Sequence, residues 1–297
     1  MKHWIWMLAA AAWLGVSIVP GRAAEFAFGA DLSFLKQAED RGKVFRDGTN
    51  AAPALRLFRN HGYNWVRLRL FVDPVDTYLP NNLAYTLALA QDARKLGFKF
   101  LLDFHYANSW ADPAKQPTPV TWTNLSPAER VDAVFAYTRD SIAAFRDAGV
   151  PPDMVQVGNE VTVGMLWPDG KLPEHWDQFA RYLHAGINGV DAGRGNGRRP
   201  KIMIHVDCGG SREKTRWFFD TLNTYDIPYD VMCFSYYPWW QGSLADLREN
   251  LAFASRTYGK DVSWWRRRIT GGQTGRRRTA RSRSRKRRRG SGSFWRS

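Results

Sequence analysis

The chain has 297 residues, 44 % of them hydrophobic and 14 % aromatic, enough for one large buried core and a better fit to a single domain of about 250 residues than to two small ones. Its formal charge of +15 is not spread over the molecule: residues 262–297 hold thirteen Arg and one Lys without an acidic residue, and the rest balances 29 basic against 28 acidic side chains. Nothing in the body of the protein therefore asks for nucleic acid or another polyanion as partner.

In chain order, Lys2 and His3 precede an apolar run over 4–19 that is too short and too early for a membrane span. With small Gly21 and Ala23 behind it, the run reads as a signal peptide over 1–23, so export is expected, with no membrane association after cleavage. Strands are expected at 26–32, 65–71, 99–104, 154–158, 201–206 and 231–236. Helical spacing of apolar residues marks 82–96, 127–148, 176–187 and 244–257, and Ser126 with Glu129 three residues on forms a capping box. Gly97, Gly149 and Gly259 stand where helices stop. Alternating strands and helices imply α/β architecture with a parallel sheet. Cys208 and Cys233 lie in or beside apolar runs; they are read as two buried thiols, with a disulfide as the alternative in an oxidising compartment.

Polar residues decide between a doubly wound sheet and a barrel. Arg67 and Arg69, Asp103 and His105, Asn159 and Glu160, His205 and Asp207, Tyr236 and Tyr237 each end a different strand. In a (β/α)8 barrel all these ends open on the catalytic face. A doubly wound sheet would gather its function at one switch point, and no glycine-rich phosphate loop follows the first strand. The run Val155-Gln156-Val157-Gly158-Asn159-Glu160 ends an apolar strand in an amide and a carboxylate. That pair suits protonation of a glycosidic oxygen, although such residues also cap helices. Residues 102–113 mix Asp103, His105, Tyr106, Trp110 and Asp112, and further Trp at 122, 167, 176, 239 and 240 suit a cleft on which sugar faces stack, some of them belonging to the core. No His, Cys or carboxylate spacing marks a metal site, and no cofactor is assigned.

Taken in order, Gly29-Ala30-Asp31-Leu32-Ser33, Asn64-Trp65-Val66-Arg67-Leu68-Arg69, the 103–113 segment, Gly158-Asn159-Glu160 and Ser235-Tyr236-Tyr237-Pro238-Trp239-Trp240 resemble glycoside hydrolase family 53, the endo-β-1,4-galactanases. The resemblance implies a (β/α)8 TIM barrel that cuts β-1,4-galactan side chains of pectin with retention of configuration, as a monomer. It implies Glu160 as general acid/base and Asn159 beside it binding a sugar hydroxyl. Arg67 would hold the nucleophile ionised, with His105 and Tyr236 lining the reaction site and Asp103, Trp110 and Asp207 as further cleft residues. A second carboxylate about 5 Å from Glu160 is then required, from the end of the seventh strand. Some members hold a structural Ca²⁺ in a late barrel loop, a stretch with no counterpart here.

The seventh strand is where the chain departs from the family. After Asp261-Val262 the family pattern continues Val-Val-Val-Glu-Thr-Ala-Tyr, whereas this chain reads Ser263-Trp264-Trp265-Arg266-Arg267 and has no Asp or Glu after Asp261. Trp has one codon, so reading one base earlier across Trp264 and Trp265 forces Val, and an AG-initial Arg266 codon then yields Glu. The expected organisation is a barrel domain over 24–262 lacking most of its last two βα units, followed by an Arg-rich tail over 263–297. That tail is either a frameshift product or an added basic anchor. Another secreted barrel β-glycanase, a non-catalytic carbohydrate-binding remnant, and nucleic-acid binding by the tail alone stand as alternative functions.

Overall fold

The computed structural model describes residues 26–74 and 78–266. The expected leader over 1–23 and the tail beyond 266 lie outside the described residues. Seven strands form one sheet in chain order: β1 Gly29–Asp31, β2 Trp65–Leu70, β3 Lys99–Phe104, β4 Met154–Val157, β5 Lys201–Val206, β6 Val231–Tyr236 and β7 Asp261–Arg266. Every neighbouring pair is parallel. Helices α1 Leu35–Asp40, α2 Ala54–Asn60, α3 Leu83–Lys95, α4 Pro127–Asp147, α5 Trp176–Gly193, α6 Arg212–Asn223 and α7 Leu244–Tyr258 fill the connections. A two-stranded hairpin, Arg46–Asp47 with Asn50–Ala51, interrupts the first crossover.

Alternation along the strands sorts side chains between two environments. Val66, Leu68 and Leu70 of β2, Phe100, Leu102 and Phe104 of β3, and Val155 and Val157 of β4 enter the main core between sheet and helices. The opposite set, Leu101, Met203, Val231 and Cys233 with Trp65, Met154 and Trp265, packs together on the inner face. That inner face is curled. The Arg67 guanidinium of β2 lies 5.3 Å from the Trp265 ring of β7, whereas in a flat sheet those strands would stand about 24 Å apart. A curled, sequentially ordered parallel sheet with outer helices is a (β/α)8 barrel, here partial: among the described residues nothing pairs with the outer edges of β1 and β7.

The elements differ from the sequence reading in several places: α1, α2 and the hairpin are not marked in it, β1 is shorter than the expected 26–32, and three further differences bear on the barrel. β7 runs on to Arg266, with Ser235 opposite Trp265 and Tyr236 opposite Arg266. The barrel therefore continues four residues past 262, because Trp264 and Trp265 are aromatic strand formers that pair as well as the expected Val would. Helix α5 continues to Gly193 rather than stopping at 187. Its glycines are contact points: a Cβ on Gly189 would stand 2.7 Å from the Phe135 carbonyl, and one on Gly193 would stand 2.4 Å from that of Arg139, both on α4. Finally, α6 is capped by Ser211, which accepts from the Lys214 amide, and buries Thr215, Phe218, Phe219 and Leu222, a stripe that fills the gap before β6. Both cysteines are buried free thiols, and burial pushes each up to about 12.

Because the obstacle at Gly193 is backbone, a methyl group there forces α4 and α5 apart. Gly193→Ala is expected to lower stability by about 1–3 kcal/mol in urea unfolding of the full chain, whereas Ala at exposed Gly197, whose Cβ meets only Arg194 O at 3.1 Å, is expected to cost less.

Candidate active site

Strand β4 ends by turning sharply. Gly158 has φ 82° and Glu160 φ 49° and ψ 51°, so a non-glycine residue sits in the left-handed region, a conformation that costs energy and persists where neighbours enforce it. Gln116, buried in the long loop after β3, supplies that enforcement: its Nε2 donates to the carbonyls of Asn159 at 2.9 Å and Glu160 at 3.4 Å. The turn aims the Glu160 side chain into a cleft of about 2900 Å³ that opens between β1 and β7.

Beneath the cleft lies a buried polar network centred on Arg67. Its Nη1 donates to Asp31 Oδ2 at 2.7 Å, and its Nη2 reaches Asp103 Oδ2 at 2.7 Å, Asn159 Oδ1 at 2.7 Å and Gln156 Oε1 at 3.2 Å. Gln156 Nε2 donates to Asp103 Oδ1 at 2.5 Å. Arg69 pairs with Asp31 at 2.6 Å and lies 4.1 Å over the Trp110 ring. His105 is neutral by its contacts: Nδ1 accepts from the Ala111 amide at 3.0 Å, so the hydrogen sits on Nε2 and points at Asp103, 3.1 Å away. Burial, the main cause, holds its basicity below the usual histidine value.

Burial would by itself raise the Asp103 carboxyl, but Arg67, His105 and Arg69 outweigh it and hold Asp103 down at about 2. Glu160 is moved the other way. Burial is the largest influence and raises it; the Ser235 hydroxyl, 2.5 Å from Oε1, and Arg67 oppose, and Asp207 and Asp112 add to the rise. One carboxyl locked ionised and another biased toward its acid form is the separation that acid catalysis uses.

Of the residues expected at the site, Arg67, Trp110, Asn159, Glu160 and Asp207 line the cleft. Asp103 and His105 are fully buried and lie one layer below, supporting Arg67 rather than facing the opening. Tyr236 is a correction. Strand alternation turns it away from the cleft, and its hydroxyl donates to Gly242 O at 2.8 Å under α7, while its neighbours Ser235 and Tyr237 face inward. Trp240 lines the opening, whereas Trp122 and Trp176 pack in the body of the fold. The sequence reading did not single out Asp31, Gln116, Gln156 and Ser235 as site residues; period-two strand alternation, which sets Asp31, Gln156 and Ser235 on the inner face, is the signal that could have found three of them.

A partial (β/α)8 barrel that presents a buried carboxyl biased toward its acid form at the end of its fourth strand, on an Arg-carboxylate floor, is a glycosidase-type barrel. The comparisons with known proteins agree. The Glycosyl hydrolase family 53 model matches residues 27–267, and the chain belongs to that family. It is 39 % identical over 249 residues to an uncharacterized protein from the bgaB 5' region of Niallia circulans, spanning 80 % of this chain and 66 % of that protein. It is 35 % identical over 246 residues to an arabinogalactan endo-β-1,4-galactanase of Humicola insolens, spanning 79 % and 71 %. The GH53 catalytic domain of Ignisphaera aggregans superposes with a TM-score of 0.75 at 34 % identity, over 82 % of this chain and 68 % of that one. The chain thus spans about two thirds to seven-tenths of the length of these relatives.

The lowered Asp103 carboxyl has a consequence for stability. Its contribution is complete above about pH 4, where the unfolded carboxyl is ionised, and is lost as pH falls toward its folded value. Unfolding free energy is expected to drop by about 2 kcal/mol from this group between pH 5 and pH 2, and Asp103→Asn is expected to flatten that part of the profile, as read by urea titration at each pH.

Proposed function

We propose that this chain derives from a secreted endo-β-1,4-galactanase that hydrolyses the galactan side chains of pectin by a retaining two-carboxylate mechanism. The observation that carries the reading is Glu160, biased to its acid form in a cleft lined by Arg67, Trp110 and Asn159. In the proposed first step Glu160 gives its proton to the glycosidic oxygen as the C–O bond breaks, while a second carboxylate bonds to the sugar carbon. Glu160 then takes a proton from water as that water displaces the carboxylate. Substrate contact is assigned to Trp110 and Trp240 by stacking and to Asp207 by hydrogen bonding. The relatives named as galactanases support the substrate.

The second carboxylate has no counterpart in the sequence, because no acidic residue follows Asp261. At the end of β7 the chain offers Trp265, whose ring faces Arg67, where the family resemblance implies a nucleophile. The frameshift reading accounts for this substitution and for the basic run that follows; sequencing the gene region across codons 263–266 tests it directly. Without the second carboxylate the chain would bind galactan and turn it over slowly or not at all, and that observation favours a carbohydrate-binding remnant as the second reading. The leader over 1–23 supports export, which N-terminal sequencing of the mature protein checks.

The decisive assay measures reducing-end release from β-1,4-galactan by this chain and by a version with the shifted frame and downstream barrel restored. The restored protein is expected to be active and to lose about 10²–10⁴-fold in kcat with Glu160→Gln, while this chain stays near background. Efficient cleavage by this chain unaided would contradict the account of the nucleophile, and a folded, restored protein that ignores galactan would overturn the substrate.

A further inference from the structure

The groups behind Glu160 pose a proton-counting problem. Ser235 Oγ lies 2.5 Å from Glu160 Oε1 and 3.0 Å from His205 Nε2, and His205 Nδ1 lies 3.0 Å from Asn159 Oδ1. Each of these three contacts needs one hydrogen. The orientation of the Asn159 amide is settled by its other partners: Nδ2 donates to Ala111 O at 2.7 Å, and Oδ1 accepts from Arg67. An oxygen therefore faces His205, and Nδ1 must carry a hydrogen.

Two contacts remain, and the Ser235 hydroxyl has one hydrogen to give. The second must come either from His205 Nε2, which would make the ring an imidazolium, or from the Glu160 carboxyl. The surroundings choose between them. His205 is buried, with Arg67 and Arg69 as the nearby cations, neutral His105 beside them and Asp103 as the opposing carboxylate, and burial followed by Arg67 keeps its basicity well below the ordinary histidine value. Glu160 is buried beside Asp207 and Asp112, with Arg67 opposing, and favours its proton.

We infer that His205 is a positioning residue that takes the Ser235 hydroxyl hydrogen, so that Ser235 does not donate to the carboxyl and Glu160 keeps its own proton: Glu160 O–H donates to Ser235, Ser235 O–H donates to His205 Nε2, and Nδ1–H donates to Asn159. The role in catalysis rests on Glu160 being the acid/base proposed above; the hydrogen arrangement itself does not.

The test is NMR on the full, isotopically labelled chain, reading the ring-nitrogen shifts of His205 and the carboxyl carbon shift of Glu160 as a function of pH. Neutral His205 with its hydrogen on Nδ1 at pH 6, and Glu160 titrating above the ordinary glutamate range, are the expected results. His205→Gln keeps an acceptor for Ser235 and a donor for Asn159, so the Glu160 midpoint is expected to stay high. His205→Phe removes the acceptor, frees the Ser235 hydroxyl to donate to the carboxylate, and is expected to lower the midpoint by about one pH unit or more. A purely structural role for His205 predicts no such split between the two variants. A hydrogen on Nε2 of neutral His205, an imidazolium at pH 6, or equal midpoints in the Gln and Phe variants would overturn the inference. The tautomer in the unsubstituted chain decides the matter even where His205→Phe fails to fold. None of these readouts uses galactan, so a failed galactan assay with the Nδ1–H tautomer present refutes the substrate alone.

Discussion

The site depends on one cation held inside a sheet. Arg67 projects from β2 into the curl of the barrel, and its guanidinium has carboxylates from β1 and β3 and amides from β4 and its terminal turn arranged around it. A buried charge of this kind is costly unless every partner is in place. The network therefore demands that four consecutive strands keep their register, with Asp31 opposite Arg67 and Asp103 opposite both Arg69 and Gln156. Correct strand pairing and correct presentation of Asn159 and Glu160 are thus the same requirement. Function imposes a second constraint at the same place: Glu160 adopts a left-handed backbone to reach the cleft, and Gln116 grips the carbonyls on either side of the Asn159–Glu160 bond from a loop more than forty residues upstream.

Much of this was legible in the sequence. Strands β2 to β6 fall within a residue or two of the runs read from apolar composition, since a strand covered by helices must be apolar almost throughout. The capping box at Ser126 and Glu129 is present as read. What was not legible has identifiable causes. The length of α5 was hidden because glycine signals both a helix stop and a close helix contact, and only the neighbouring α4 distinguishes them. Asp103 and His105 carry chemistry-bearing side chains at a strand end, but depth along the barrel axis, which composition cannot express, places them beneath the floor. Tyr236 fell to a one-residue matter of alternation: Ser235, the less conspicuous neighbour, faces the acid.

The departure from the family pattern falls in β7. The backbone of Asp261–Arg266 pairs along the whole of β6, so pairing tolerates the change from the family pattern. The inner face does not tolerate it chemically. Trp265 brings an aromatic ring to within 5.3 Å of the Arg67 guanidinium. Among the described residues nothing pairs with the outer edges of β1 and β7, and an unpaired strand edge is a place where another strand can add.

On the function proposed above, the site has its acid half and lacks the second carboxylate. The measurement that tests this most directly is chemical rescue of the chain carrying Trp265→Ala, which clears the ring beside Arg67, using an aryl β-1,4-galactobioside with and without azide. Aryl release that depends on azide and yields the α-configured galactobiosyl azide is the predicted result, because the small anion supplies the missing attack from the face opposite Glu160. Release that is independent of azide, or none at all from a folded protein that binds the galactobioside, would contradict the account.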